Sequence, residues 1–562
     1  MFVKHLPRTS ALVAAVAVVA LAATACNANN NDSSPTASQT GFHQGGTLTI
    51  YSSSTEQSFD PAISQSLAIT SQGLVHRRLT TWDIRPGQTP RVVPDLATNT
   101  GVPSDGGRVW TYTLKPGLKL SDGQPITSQD IKYGLERSFA PELSGGLGYH
   151  KTLLVGGDQY TGPYHGKQLA SIETPDERTI VLHLNTAYGD WPWIASMPAF
   201  APVPQSADKN PSTYGTHPVA SGPYEVETDK PGQDVVLKRN PDWDKSTDPV
   251  RLGGPDSIVF KLGMDDTTAA QQLISDTGDA QDAFGSGFVP PAQLKQITSS
   301  ADATQRLTLS NPGALQYLAM NTRRPGLDDV KVRQAIEYAV DKRAFQLAAG
   351  GTQGGDLAST LITPGIPGRQ EYNLYAGPAS GDVAKAKQLL ADAGATNLHL
   401  TLVSANDSTS LNQAQAVQQG LERVGIKVTI DPQDENAYLD TITGDKGDYD
   451  LTVSSWQPDF PSANGNISPL FDSSQIGGGG YNLSRYSNPA VDRMIAQATG
   501  EVDQKKAQQD WARADRRIMQ DAPVVPLLFT RNAFLRGGDV ENFDVSGFPN
   551  YPNYLRISLT NG

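Results

Sequence analysis

Cysteine and histidine are scarce in this sequence of 562 residues. It contains one cysteine, Cys26, and eight histidines. A single cysteine excludes an intramolecular disulfide and any metal site built from several thiolates. The histidines form no pair at the spacing of metal ligands and no His-Glu-x-x-His motif. We therefore expect no metal site and no cofactor.

An excess of basic charge is also missing. The chain carries 45 Lys and Arg residues against 58 Asp and Glu residues, which gives a formal net charge of −13. Such a chain repels a phosphate backbone unless a local basic patch overrides the mean, and the sequence has no such patch. Nucleic acid is therefore not an expected partner. The length and the apolar content are those of an ordinary globular protein with several buried cores.

Long apolar runs are limited to the beginning of the chain. Lys4 and Arg8 precede an uncharged run over 11–23, which is too short to span a bilayer comfortably. Small residues close this run before Cys26. The pattern predicts a bacterial signal peptide over 1–25.

Cys26 stands immediately after the predicted signal peptide, where a bacterial lipoprotein carries the cysteine that receives diacylglycerol. The segment resembles a lipobox, although Ala23 replaces the usual leucine. Ordinary secretory cleavage near Ala25 is the alternative. The polar stretch 26–44 is predicted to be a tether. We expect the folded part to lie outside the cytoplasm, anchored to the cell membrane by the lipid on Cys26.

Strand and helix patterns alternate along the rest of the chain. Residues 47–50 and 110–114 are predicted strands, and the second alternates apolar and polar positions with a period of two. Thr127 and Asp130 form a capping box, which predicts a helix that runs through Phe139.

Two further helices are predicted from capping aspartates. Asp329 precedes apolar residues at helical spacing, and this helix is expected to continue until Gly350 and Gly351 end it. Asp382 opens the second helix, which is expected to end at Gly394.

The stretch from 398 to 430 predicts the type of sheet. Residues 398–403 and 425–430 have the composition of strands, and 414–424 between them carry a helical apolar stripe. A strand, a helix and a strand in this order imply a parallel α/β domain. Ligands bind beyond the carboxyl ends of such strands, so the loops 404–407 and 454–459 are candidate site loops.

Motifs of catalysis are absent or isolated. Ser206 and Lys209 match the Ser-x-x-Lys of penicillin-recognising enzymes, but no Lys-Thr-Gly partner follows them. No Gly-x-Ser-x-Gly motif exists. We expect that the protein is not an enzyme, and a penicillin-recognising hydrolase that uses Ser206 is a remote alternative.

One long segment resembles a known family. Residues 110–137, WTYTLKPGLKLSDGQPITSQDIKYGLER, are similar to the signature of the family 5 extracellular solute-binding proteins, the oligopeptide and dipeptide receptors of ABC importers. Other landmarks of that family recur in the same order along this chain, at 59–61, 221–224, 236–241, 317–321, 330–336, 382–394, 456–459, 485–489 and 521–523.

The resemblance implies an α/β fold of two lobes that close on a ligand, the type II periplasmic-binding-protein clamp with an extra subdomain in the first lobe. It divides the chain into five parts, which are a signal peptide 1–25, a tether 26–44, a first lobe 45–85 with 221–310 and 527–562, an extra subdomain 86–220, and a second lobe 311–526.

The resemblance also implies a function. Such receptors capture a solute between the lobes and deliver it to a membrane permease that a separate ATPase drives. The expected ligand is a di- or oligopeptide, and the expected state is a monomer. A nickel chelate, an oligosaccharide or an opine-like compound is the alternative within the family.

Four residues are candidates for ligand binding. In peptide-binding members a Trp-x-x-Asp at the place of Trp456 and Asp459 supplies the aspartate that pairs with the peptide α-ammonium. A loop aspartate or helix cap is the alternative for Asp459, and a core position is the alternative for Trp456. Thr55 and Glu56 fall where the family lays the peptide backbone against the first strand, with hairpin-like packing as the alternative. No cation for a ligand carboxylate could be identified.

Overall fold

The computed structural model of the protein describes residues 42–395 and 397–562. The predicted signal peptide, Cys26 and most of the predicted tether lie outside these described residues, so the lipid anchor stays a prediction. Residues 43–562 form one unit. Among the described residues, no helix is both long enough and apolar enough to cross a membrane.

Strands and helices alternate along this unit. The strands are β1 Thr47–Tyr51, β2 Thr80–Asp83, β3 Arg91–Pro94, β4 Val102–Ser104, β5 Val109–Thr113, β6 Ile172–Asp176, β7 Thr179–His183, β8 Tyr224–Lys230, β9 Asp234–Arg239, β10 Ser257–Lys261, β11 Ala283–Gly285, β12 Leu307–Leu309, β13 Ala314–Met320, β14 Gly355–Leu357, β15 His399–Ala405, β16 Lys427–Gln433, β17 Leu451–Trp456, β18 Val524–Thr530, β19 Ala533–Leu535, β20 Val540–Glu541 and β21 Ser558–Leu559. The helices are α1 Ser71–Val75, α2 Ser128–Arg137, α3 Tyr149–Leu153, α4 Trp191–Ile194, α5 Asp266–Ser275, α6 Pro291–Thr298, α7 Ala301–Arg306, α8 Val330–Ala339, α9 Lys342–Ala348, α10 Val383–Asp392, α11 Ser408–Glu422, α12 Glu435–Thr443, α13 Ala463–Phe471, α14 Pro489–Gly500 and α15 Gln504–Asp521.

The sheet of the first lobe has five strands in the order β11-β1-β10-β9-β8. β1 is parallel to both of its neighbours, β10 and β11, and its side chains Leu48 and Ile50 are buried in the core. The chain leaves β1 at Ser52, whose N–H still donates to the carbonyl of Lys261 at 2.9 Å. The loop after β1 is therefore fixed at the carboxyl edge of this sheet.

The sheet of the second lobe has six strands in the order β14-β18-β13-β17-β15-β16. The predicted strand-helix-strand unit is present, and β15 is parallel to β16 and to β17. The predicted parallel pairing covers only part of this sheet, because β13 is antiparallel to β17 and β18, and β14 is antiparallel to β18. β13 carries the chain from the first lobe into the second, and β18 carries it back to the first. These two neighbouring strands therefore run in opposite directions.

Two short segments join the lobes. β12 and β19 pair with each other in antiparallel register just before β13 and just after β18. The predicted boundary at 310 falls between β12 and β13, but the boundary at 526 falls inside β18. β18 is paired with β13 from Val524 to Thr530, so the end of the second lobe stays a prediction, for which we propose 531–532.

A smaller antiparallel sheet lies within the predicted extra subdomain. Its order is β4-β5-β7-β6. Trp110 and Tyr112 of β5 stand opposite Leu182 and Ile180 of β7, and all four are buried. The period of two in the sequence thus marks the face of β5 that packs into the core.

One predicted helix is two helices. The helix expected from Asp329 to Gly350 breaks at Val340, whose backbone is extended, and continues as α9. Asp341 caps this second helix, since its side chain accepts a hydrogen bond from the N–H of Ala344 at 2.8 Å. The apolar stripe continues through the break because α8 and α9 both face the core.

A buried ionic cluster connects two of the family landmarks. Arg137, at the end of α2, donates two hydrogen bonds to the carboxylate of Asp60, at 2.8 and 3.0 Å. It donates a third to Asp208 at 2.7 Å. All three side chains are buried. The cluster therefore holds the loop after β1 against the extra subdomain.

Candidate ligand-binding site

Asp459 lies where three parts of the chain meet. It follows β17, the strand between β13 and β15, and it is half-buried. The hydroxyl of Tyr149, from the extra subdomain, donates to its Oδ2 at 2.5 Å. Burial raises the pKa of Asp459, while the hydrogen bond from Tyr149 counteracts this shift. The result is a carboxylate with little access to water, held in one orientation from the opposite side of the cleft.

A cavity of about 420 Å³ adjoins Asp459 on the side of the first lobe. We call it the polar cavity, because hydroxyl and amide side chains dominate its wall, among them Ser52, Gln57, Ser66, Thr70, Ser286 and Gln457. Such groups can donate to and accept from the backbone of a peptide.

A second cavity, of about 600 Å³, adjoins Asp459 on the side of the extra subdomain. We call it the aromatic cavity, because its wall includes the rings of Tyr149, Tyr188, Trp456, Phe460 and Tyr481. Asp459 is common to both walls. Both volumes lie within the usual range of small-molecule sites.

The structure brings together two of the four predicted ligand-binding residues. Asp459 and Trp456 both border the aromatic cavity. Thr55 and Glu56 are exposed and border neither this cavity nor the polar one. The carbonyl of Thr55 accepts from the N–H of Gly232 at 2.9 Å, and the N–H of Glu56 donates to the hydroxyl of Ser54 at 3.2 Å. Their role in ligand binding stays a prediction.

Several residues of the two cavity walls were not among the four candidates predicted from the sequence. Ser52 and Gln57 flank the predicted pair in the same loop, and the loop's position after β1 pointed to them as much as to Thr55. No sequence pattern pointed to Tyr149, since it is 310 positions away from Asp459 in the chain. The other candidate loop, 404–407, borders neither cavity.

Hydrogen bonds across the cleft join the extra subdomain to the second lobe. The hydroxyl of Ser462 donates to the carboxylate of Asp190 at 2.7 Å, and the side-chain amide of Asn464 donates to the hydroxyl of Tyr188 at 3.1 Å. All four residues are buried. Together with the bond from Tyr149 to Asp459, they hold the two sides of the cleft together.

Asp190→Asn is expected to gain stability relative to the native protein as the pH rises from 4 to 7. Burial raises the pKa of Asp190 from 3.8 to about 6. A carboxyl group with a raised pKa in the folded state favours folding at low pH, and this contribution is lost as the pH rises through the folded pKa. Asparagine does not titrate. Urea unfolding measures the free energy of unfolding of both proteins. Between pH 4 and pH 7, the difference between them should change by about 1–3 kcal/mol in favour of the variant.

The matched control for this pH dependence is Asp392→Asn, which changes an exposed aspartate at the end of α10. Its difference in free energy of unfolding from the native protein should stay constant between pH 4 and pH 7. A constant difference for Asp190→Asn as well would contradict the predicted titration.

Basic side chains are missing from the described walls of both cavities. None of the residues that the structure places around the polar or the aromatic cavity is Lys, Arg or His. Asp459 and Asp472 are the acidic ones. In the described part of the chain, no group of three His, Cys, Asp or Glu side chains is placed to hold a metal ion. The charge of the site therefore favours a cationic group.

Comparison with known proteins identifies the family. Residues 91–478 match the model of the bacterial extracellular solute-binding proteins, family 5 middle region. The chain belongs to this family. Family 5 proteins bind solutes outside the cytoplasm, and the fold of two lobes described above is the fold of this family.

The names of two similar proteins state what those proteins bind. The glutathione-binding protein GsiB of Salmonella typhi is 29% identical over 436 residues, which is 76% of this chain and 78% of that protein. A solved structure of the clavulanic acid biosynthesis oligopeptide binding protein 2 is 33% identical, with a TM-score of 0.83 over 92% of this chain and 96% of that one.

A more distant structure agrees in fold alone. The periplasmic binding protein DppA of Helicobacter pylori, in complex with the peptide STSA, is 20% identical, with a TM-score of 0.67. It covers 92% of this chain and 99% of that one.

The remote enzymatic alternative has no support from the geometry. Ser206 and Lys209 are both exposed, and neither borders the polar or the aromatic cavity.

Proposed function

We propose that this family 5 protein is the receptor of an ABC importer, that it captures di- or oligopeptides between its lobes, and that it delivers them to a membrane permease. The observation that carries this proposal is the place of Asp459. Its carboxylate has little access to water and lies at the junction of two cavities that contain no basic side chain among their described walls. A peptide α-ammonium is the cation that fits such a carboxylate.

The names of the similar proteins support a peptide as the class of ligand. Glutathione is itself a small peptide, and the relative of known structure is named for oligopeptides. The polar cavity supports the same class, because its hydroxyl and amide groups suit the backbone of a peptide.

A non-peptide solute of the same family is the second candidate. A nickel chelate or an opine-like compound presents several carboxylates, and the described walls of the two cavities offer no Lys, Arg or His to pair with them. An oligosaccharide needs no cation but leaves Asp459 without a counter-charge. The peptide is therefore the better match to the charge of the site.

Ligand capture is expected to compact the protein. The first lobe with its extra subdomain closes against the second lobe about β12 and β19, the paired segments that join the lobes. Closure is favoured because the ligand binds both lobes at once. Small-angle scattering of the monomer, freed of ligand and then saturated with a peptide, should show a smaller radius of gyration in the complex. Mass spectrometry of the protein purified under native conditions should identify a retained peptide. An unchanged radius with bound peptide contradicts closure, and a retained non-peptide solute contradicts the ligand class.

The lipid anchor is tested separately from ligand binding. We expect the full-length protein to incorporate labelled palmitate in a bacterial host and to fractionate with membranes. Cys26→Ser should lose both properties, because Cys26 is the only cysteine. Labelling and membrane fractionation that persist in the variant would contradict the anchor.

A further inference from the structure

The two cavities at Asp459 differ in the groups they offer to a ligand. Eight of the residues that adjoin the polar cavity are Ser, Thr or Gln, Ser52 and Gln57 among them. The wall of the aromatic cavity instead combines five rings with aliphatic side chains such as Leu153 and Ile495 and with further polar side chains. A ligand whose ammonium binds Asp459 has access to both cavities at once.

The α-carbon of an amino-terminal residue has the two substituents that this arrangement requires. Next to the ammonium it carries the carbonyl, which continues into the peptide backbone, and the side chain. The backbone needs hydrogen-bond partners, which the polar cavity provides, since unpaired peptide groups are costly to bury. The side chain is then left to the aromatic cavity.

Three of the rings in the aromatic wall have their polar atoms bonded within the protein. Trp456 Nε1 donates to the carbonyl of Gly465 at 2.7 Å, the Tyr149 hydroxyl donates to Asp459, and the Tyr188 hydroxyl accepts from Asn464. These rings therefore offer a ligand mainly their faces and edges. These surfaces favour apolar and aromatic groups.

The rings also form two packed pairs in the wall of the cavity. Trp456 and Tyr481 lie with their ring centroids 5.0 Å apart, and Tyr149 and Phe460 lie 5.7 Å apart with a near-perpendicular geometry. Tyr481 is 44% exposed, although large apolar side chains are usually covered. A ligand ring in the aromatic cavity would cover part of this exposed surface.

We propose that the aromatic cavity receives the side chain of the ligand's amino-terminal residue and selects a large aromatic or apolar one. This inference rests on the proposed function, because it takes the ligand to be a peptide with its α-ammonium at Asp459. It adds the class of peptide that the receptor prefers and the residues that set the preference, Trp456, Phe460 and Tyr481.

The test measures tripeptide binding by calorimetry with the ligand-free protein. Phe-Ala-Ala should bind at least about tenfold more tightly than Gly-Ala-Ala, as expected for the burial of a phenyl group. In Gly-Ala-Phe the phenylalanine stands at the carboxyl terminus. Relative to Gly-Ala-Ala, this peptide should gain less than half of the binding free energy that Phe-Ala-Ala gains. The order of the three affinities therefore tests which residue of the peptide enters the aromatic cavity. It also tests whether this cavity prefers an aromatic side chain.

Two variants change the aromatic cavity in different ways. Tyr481→Ser removes one partly exposed ring, and Ala496→Trp, on the exposed side of α14, fills part of the volume. Both should reduce the ratio of the affinities for Phe-Ala-Ala and Gly-Ala-Ala at least threefold. Leu439→Ser is the matched control, because it removes an apolar side chain of similar exposure, 41%, outside both cavities.

The outcomes separate this inference from the proposed function. Equal affinities of the native protein for Phe-Ala-Ala and Gly-Ala-Ala overturn the inference and leave the peptide receptor intact. An unchanged affinity ratio in both cavity variants overturns it as well. Failure of all three peptides to bind overturns the inference together with the peptide ligand.

Discussion

Asp459→Asn is expected to weaken the binding of a peptide with a free amino terminus by about 2 to 5 kcal/mol. The substitution keeps the size of the side chain and its acceptor for the Tyr149 hydroxyl, but it removes the negative charge. The ligand ammonium would then lose its counter-charge in a cleft that closure has emptied of water. Isothermal titration calorimetry on the ligand-free protein measures the loss.

The loss is assigned to the ammonium by a second change, made in the ligand. N-acetylation removes the positive charge of the peptide, so it should weaken binding to the native protein and matter little to Asp459→Asn. Calorimetry of both proteins with both peptides forms a double-mutant cycle, which isolates the interaction between the two charges.

A second aspartate near the same cavity is the matched control. Asp472 borders the aromatic cavity, but its carboxylate accepts from the N–H and the hydroxyl of Ser474, at 2.9 and 2.7 Å. Asp472→Asn should leave the binding of both peptides nearly unchanged. Additive losses for Asp459→Asn and N-acetylation, or equal binding of both peptides to the native protein, would remove Asp459 from the ammonium site.

Arg137→Met is expected to lower the free energy of unfolding by about 3 to 5 kcal/mol. Arg137 is 0% exposed, and it forms short ion pairs with both buried carboxylates, those of Asp60 and Asp208. The variant leaves these two negative charges buried close to each other without their cation. Urea unfolding at pH 7 measures the change.

The matched control is Arg493→Met, which changes an exposed arginine on α14 and should stay within about 0.5 kcal/mol of the native protein. A loss below 1 kcal/mol in Arg137→Met would contradict a role of the cluster in stability.

The sequence predicted the parts of the fold that depend on neighbouring residues. The capping box at Thr127, the strand-helix-strand unit around α11 and the place of Asp459 at the end of β17 all follow local patterns of apolar spacing, caps and turns. The break at Val340 was missed for a local reason too, because the apolar stripe continues across it and conceals the capping role of Asp341.

Only the tertiary structure decided which distant segments meet. Nothing in the sequence pairs Tyr149 with Asp459 or Arg137 with Asp60, because a hydrogen bond between remote residues leaves no periodicity in either segment. The mixture of parallel and antiparallel pairs in the six-stranded sheet also depends on contacts between distant segments. β18 pairs with β13, although most of the second lobe lies between them in the chain. The sequence by itself thus determined the family and the local elements, and it proposed Asp459 as the binding carboxylate. The folded chain decided what surrounds that carboxylate, because the walls of a cleft come from segments that only packing brings together.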